Sequence, residues 1–290
     1  MRIGVYGREF DAKFARPVKQ LLDALHKEDF SLVIHSDFCS YLKDQFDCAF
    51  HASTLNTAED VKDLDFLISI GGDGTILDTI AIVRDSNIPV LGINTGRLGF
   101  LSNVAVEDIQ NTVKCLKERD FHLDSRSLIK VDGLEGITDF PYALNEVTIH
   151  KKDTSNMITV RAWVDDVFMN SYWADGLIVS TPTGSTAYNL SCGGPIVMPG
   201  SENVVLTPIA PHNLNVRPVV IPSSCQVRLE AQTRDQDILL TLDSRSFSIE
   251  NGASVKLSRS SFKVDLISLP GQEFFGTIRS KMMWGIDKRN

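Results

Sequence analysis

The chain has 290 residues, 43% hydrophobic and 23% charged, with a formal net charge of −8. That supplies apolar material for one large domain or two ordinary ones, and the acidic balance argues against a general nucleic-acid binder, which needs a basic face. No apolar run reaches the roughly 18 residues of a membrane span, and MRIGVYGRE at the start has no secretory apolar region.

The first 125 residues alternate strand and helix signals. RIGVYG reads as a strand, PVKQLLDALHKED as a helix with apolar residues at helical spacing, and FSLVIH as a second strand. DLDFLISIGG, TILDTIAIVRDS and IPVLGIN then read as strand, helix and strand, and VEDIQNTVKCLKERD closes the region as a helix. This rhythm predicts a parallel sheet covered by helices. From about residue 126 the texture changes to short runs rich in β-branched and aromatic residues, among them LIKVDG, YALNEVTIH, MITVRAWVDD, VFMNSYWADGLIVS, QVRLEA, DILLTLDS, SFSIEN and VKLSRS, with turn signals between them. The expected organisation is an α/β domain over 1–125, a mainly β, sandwich-like domain over 126–270, and a tail over 271–290 that packs back on a domain or a subunit.

Five widely spaced cysteines (Cys39, Cys48, Cys115, Cys192, Cys225) form no C-x-x-C pair. They speak against a disulfide framework or a zinc site and for a reducing cytosol, so a cytoplasmic protein is expected, with neither membrane nor nucleic acid as partner.

GGDGT at 71–75 follows an apolar strand directly. A structural account exists: glycine serves a strand-to-helix turn, and Thr75 to Asp78 fits the capping signature of a helix start. It does not explain Asp73 flanked by glycine on both sides. Bare backbone N–H groups at Gly71, Gly72, Gly74 and Thr75, with the positive end of a following helix, make an anion pocket suited to nucleotide phosphates. No Lys sits in the turn, so it is not a Walker loop. A carboxylate there holds a divalent cation or accepts a proton from a hydroxyl attacking phosphorus.

A second constellation runs from 174 to 195, ADGLIVSTPTGSTAYNLSCGGP, crowding Thr181, Thr183, Ser185, Thr186, Ser191 and Tyr188 after a strand. A hydroxyl-rich helix cap would account for part of it. Asp175 and the pair Asn145–Glu146 also lie in or beside strand-like runs, where carboxylates can accept the O–H donors of a ribose diol. Together they point to a nucleoside site.

The sequence resembles the NAD kinase family over nearly its whole length, on GGDGT, NTGRLGF at 94–100, Asn145–Glu146 and the block at 174–197. The resemblance implies an enzyme that phosphorylates the adenosine ribose 2′-hydroxyl of NAD with ATP or polyphosphate, using a divalent cation, Mg²⁺ first among them. It implies a homodimer or homotetramer with the site in a cleft between an α/β and a β domain. Asp73 matches the proton acceptor and Gly74 a position against NAD; Asn145 and Glu146 match the ribose-holding pair, and Asp175 a carboxylate near the nicotinamide. Thr183, Thr186, Ala187, Tyr188, Asn189 and Ser191 match the nucleotide-binding block, with adenine near Tyr188 and Phe100, and Ala210 matches a backbone contact. Metal ligands stay unassigned. Three departures stand out: Asp78 where many members have a basic residue, Trp173 where Arg is frequent, and DSRS at 243–246 in place of Asp-Gly-Gln. The alternatives are a diacylglycerol-type lipid kinase, which has no use for the hydroxyl-rich block, and a non-catalytic NAD(P) sensor, which has no use for Asp73.

Overall fold

The computed structural model describes residues 1–46, 53–56, 58–96, 99–134, 136, 138–152, 156–234 and 237–284. Cys48, Arg97 and Leu98 of NTGRLGF, and the end of the tail at 285–290, lie outside the described residues. Two compact units are present, one formed by Met1–Ser125 with Val264–Asn290 and the other by Arg126–Lys263.

In the first unit, β1 (Arg2–Gly7), α1 (Ala15–Lys27), β2 (Ser31–His35), α2 (Ser36–Phe46), β3 (Ser53–Leu55), β4 (Phe66–Ile70), α3 (Asp73–Val83), β5 (Val90–Asn94), the short β6 (Val104–Ala105) and α4 (Ile109–Glu118) follow one another. The strands lie in the order β5-β4-β1-β2-β3, and each of these pairs is parallel. The expected parallel sheet is therefore present. β4 and β5 are buried along their whole length, which explains why FLISI and VLGIN read as continuous apolar runs rather than alternating ones. Val18, Leu21, Leu22 and Leu25 of α1 join Ile3, Val5, Ile34, Ile68 and Leu91 in one core. Order reverses at β1: the chain moves out through β2 and β3, then returns to the other side of β1 as β4. The crevice at the carboxyl ends of β1 and β4 is the place where open α/β sheets bind ligands, and GGDGT sits there.

The second unit contains β7 (His122–Asp132, of which the first residues belong to the first unit), β8 (Tyr142–Ala143), β9 (Glu146–Lys151), β10 (Ile158–Val164), β11 (Val167–Ala174), β12 (Gly176–Ser180), the single-turn α5 (Tyr188–Ser191), β13 (Asn203–Ile209), β14 (Val219–Pro222), β15 (Val227–Gln232), β16 (Asp237–Leu242), β17 (Arg245–Glu250) and β18 (Ser254–Ser268). It is mainly β, as expected. One sheet has the order β14-β13-β12-β9-β16-β17, and its pairs are antiparallel. A second layer is built from β11, β10, β15 and the start of β18, also antiparallel. Ile149, Leu177, Val179 and Leu240 from the first face Val160, Ala162, Leu229 and Val255 from the second in a shared core.

The run VFMNSYWADGLIVS is two strands rather than one. Asp175 separates them, β11 pairing with β10 and β12 with β9 and β13. β18 runs well past VKLSRS. Its last residues pair with β5, Leu266 opposite Val90, so residues 264–270 cluster with the first unit and not the second. The tail packs on its own first unit: Gln272 donates to the Asn103 carbonyl at 3.2 Å and Ile278 of α6 (Phe274–Met282) is buried.

Candidate active site

In the first unit the candidate residues gather at the turn after β4. α3 begins at Asp73 with Gly72 as N-cap and no side-chain cap, three residues before the N-cap at Thr75 that the Thr75–Asp78 signature suggested. A Cβ on Gly71 would meet the Thr75 hydroxyl at 2.2 Å, whereas Gly72 and Gly74 face open space with nothing within 4 Å. The bare, approachable backbone read from the sequence is present. The Asp73 carboxylate, however, does not stand alone: Oδ2 accepts the Phe100 amide at 2.8 Å, and Oδ1 accepts those of Leu101 at 3.1 Å and Ser102 at 2.8 Å. The Ser102 hydroxyl closes the arrangement by donating to the Gly71 carbonyl at 3.0 Å. Gly99 makes it possible, since a Cβ there would lie 1.7 Å from Asp73 Oδ1. Sequence reasoning missed this clasp; its only written signal is the second glycine of NTGRLGF.

Phe100, expected near adenine, carries the Lys281 ammonium 4.5 Å from its ring centroid, a cation–π contact from α6. Asp78 bonds Arg8 of the segment after β1 at 2.5 Å and the Tyr6 hydroxyl at 3.3 Å. Where the family pattern favours a basic residue, this chain thus keeps a cation, supplied from the segment after β1 and tethered by Asp78.

In the second unit the candidate residues gather at one end of the six-stranded sheet. β9 and β12 pair with Glu146 opposite Ser180, which brings Asn145–Glu146 against the start of the TPTGSTAY block. The Thr181 amide donates to the Asn145 carbonyl at 2.8 Å and its hydroxyl to the Leu144 carbonyl at 2.6 Å. Gly184 is pressed against the same carbonyl; a Cβ would sit 2.1 Å from it. From the other side Asp243, in the β16–β17 turn, accepts the amides of Leu144 at 2.8 Å, Asn145 at 2.7 Å and Glu146 at 3.2 Å. The departure at 243–246 therefore retains a structural carboxylate, and Arg245 is turned away to the carbonyls of Phe140 and Tyr142.

Glu146 is strongly perturbed. Burial, and after it the charge of Asp243, push its carboxyl up to about 8. Its Oε2 is buried with no hydrogen-bond partner. Burial also raises Asp243, against its three amide donors. Of this pair Glu146 holds the proton, because every Asp243 oxygen has a donor and Glu146 Oε2 has none. An unsatisfied buried oxygen beside a hydroxyl-rich loop is a ready partner for a sugar O–H.

Thr183 is buried, its hydroxyl accepting from Arg126 at 3.2 Å, and the Thr186 hydroxyl donates to the Thr183 carbonyl at 3.3 Å. Ala187, Tyr188 and Ser191 are at least partly accessible. Burial raises the Tyr188 phenol, with contributions from Cys192, Asp175 and Glu146, so the structure brings these groups near one another. Asp175 is held by Lys151 at 2.7 Å. Ala210 is exposed at φ 43°, a left-handed conformation that non-glycine residues keep mainly where surroundings demand it. Trp173 stacks obliquely on His212, ring centroids 4.3 Å apart. Asn189 is fully buried, its side chain donating to the carbonyls of Ser185 and Pro195 and accepting from Thr207 at 2.6 Å, so it holds the shape of the block from within.

Residues 18–121 match the ATP-NAD kinase N-terminal domain and residues 144–269 the ATP-NAD kinase C-terminal domain. The chain belongs to the NAD kinase family. NAD kinases of Cytophaga hutchinsonii and Flavobacterium psychrophilum are 42% identical over 293 residues and 40% identical over 294, with 100% of both chains covered in each case. Among solved structures, the fold matches yeast NADH kinase complexed with NADH at a TM-score of 0.86 and 21% identity, covering 99% of this chain and 89% of that one. It also matches an NAD kinase from Archaeoglobus fulgidus in complex with ATP, at 0.76 and 25% identity, covering 97% and 99%.

Proposed function

We propose that this member of the NAD kinase family transfers the γ-phosphoryl group of ATP to the 2′-hydroxyl of the adenosine ribose of NAD, giving NADP and ADP. The ribose oxygen bonds to the γ-phosphorus as the bond to the β,γ-bridging oxygen breaks; ADP leaves with that electron pair, and the hydroxyl proton passes to Asp73. The observation that carries this reading is the Asp73 carboxylate beside the open backbone of Gly72 and Gly74 at the N-terminal end of α3. Asp73 Oδ2 accepts one amide only, and a carboxylate oxygen has room for a second donor, which the attacking hydroxyl supplies. Backbone amides of the turn face the transferring phosphates, whose positioning and charge stabilisation dominate this chemistry.

Asn145 and Glu146 hold ribose hydroxyls, Asp175 stands at the nicotinamide end, and Thr183, Thr186, Ala187, Tyr188, Ser191 and the Ala210 backbone line the nucleotide. Among the described residues no three His, Cys, Asp or Glu side chains converge to hold a metal ion. A divalent cation such as Mg²⁺, a hard ion suited to the oxygens of a triphosphate, would supply neutralisation of phosphate charge. The four described cysteines are unpaired thiols, which supports the cytoplasm as location, and a homo-oligomer is the working state.

The test is a coupled assay of NAD, ATP and Mg²⁺ in which NADP is read by an NADP-specific dehydrogenase. Asp73→Asn lowers kcat by about 10²- to 10⁴-fold, the usual worth of a positioned base. Full activity in that variant removes Asp73 from the mechanism.

A further inference from the structure

Beside the glycine turn the first unit has a cavity of about 480 Å³ at the carboxyl ends of β1 and β2. That volume is in the range of small-molecule sites. We propose that this cavity holds the purine nucleoside of the phosphate donor and that Arg8 binds the donor's phosphates, making the enzyme selective for a nucleoside triphosphate over bare polyphosphate. The inference rests on the kinase reading above.

Position comes first. β1 and β4 pair with Gly7 opposite Ile70, so the next residue of each strand, Arg8 and Gly71, begins the crevice where strand order reverses, and phosphates seated on GGDGT lie next to Arg8. The guanidinium is tethered on one side by Asp78, 2.5 Å away, and its side chain is 57% exposed. Five N–H donors in a fixed fork leave several free for phosphate oxygens. Asp78 thereby turns the departure from the family pattern into a support for a cation brought from β1.

The cavity walls suit a base. Tyr6, His35 and Tyr41 line it, with Tyr6 and His35 edge to face, ring centroids 5.0 Å apart. Aromatic faces of this kind take up a purine by stacking. The Nδ1 atom of His35 is buried and has no hydrogen-bond partner among the described residues, so a turn of the ring toward the cavity would let a ring nitrogen or amino group of the base meet it. At the rim Glu9 and Asp37 present acceptors to an exocyclic amino group, which adenine has and polyphosphate lacks; against polyphosphate the same acids only repel.

Steady-state kinetics on the full chain tests this, with ATP varied at saturating NAD and the converse, and with tripolyphosphate as an inorganic competitor against ATP. Arg8→Gln raises KM for ATP at least tenfold, weakens tripolyphosphate inhibition and leaves KM for NAD within twofold; Arg8→Lys recovers part of the loss, which a folding defect would not allow. His35→Leu raises KM for ATP several-fold and leaves tripolyphosphate inhibition unchanged. If both variants keep the wild-type KM for ATP, the assignment is overturned. If Arg8→Gln acts but His35→Leu does not, the nucleoside cavity is overturned. Should the unaltered enzyme make no NADP at all, the kinase reading fails instead, a result distinct from either of these.

Discussion

Replacing Glu146 by Gln probes the buried acid pair directly. In the fold the carboxyl titrates near 8, against 4.5 for an ordinary glutamate. Between those values the folded chain holds a proton that the unfolded chain releases, so stability falls as pH rises. The contribution is complete below pH 4.5 and gone above pH 8. At about 1.36 kcal/mol per pH unit the gap amounts to roughly 5 kcal/mol, an upper figure, because water entering the partly open site softens it. Gln keeps the shape and cannot ionise. Urea unfolding from pH 5 to 9, without nucleotide and followed by fluorescence of Trp163 and Trp173 in the second unit, should therefore show the wild type losing several kcal/mol relative to Glu146→Gln as pH rises. Parallel stability curves for the two proteins would refute the reasoning and return the proton to Asp243.

Gly99→Ala places a methyl group 1.7 Å from Asp73 Oδ1; it should displace the clasp, lower kcat by at least tenfold and raise KM for NAD through the shifted Phe100, as the coupled assay will show. Asp243→Ala removes the acceptor of three amides and should cost about 3 kcal/mol or more in urea unfolding, since buried donors are left unmet, while also raising KM for NAD. Gly184→Ala, with its methyl 2.1 Å from the Asn145 carbonyl, should lower the thermal midpoint of the second unit, read by calorimetry, and weaken NAD binding in titration calorimetry.

The parallel sheet was legible because a βαβ pattern leaves few other solutions, and Val18 to Leu25 advertised their helix by spacing alone. α2 and β3 were not: SDFCSYLKDQF turns only Phe38, Cys39 and Leu42 fully inward, and STL is too short to signal anything. β13 and β14 also escaped, NVVLTPI and VVIP being interrupted or ended by proline. The two site blocks were readable because glycines and hydroxyls cluster in sequence. What could not be read was long-range: Asp243 reaches Leu144–Glu146 across about a hundred residues, and Arg8, just after β1, meets Asp78 of α3. Neither partner has any local mark. The three internal partners of Asn189, two carbonyls and a hydroxyl, are likewise displayed by no pattern.

The strand β18 begins in one unit and ends in the other. On a ribosome the first unit to emerge is consequently the last to be finished: Ile267 and Leu269, which complete its core, are synthesised after the whole β-rich segment. Until then the α/β half waits with part of its apolar interior uncovered, and a premature stop near residue 263 would leave an intact second unit tethered to an incomplete first one.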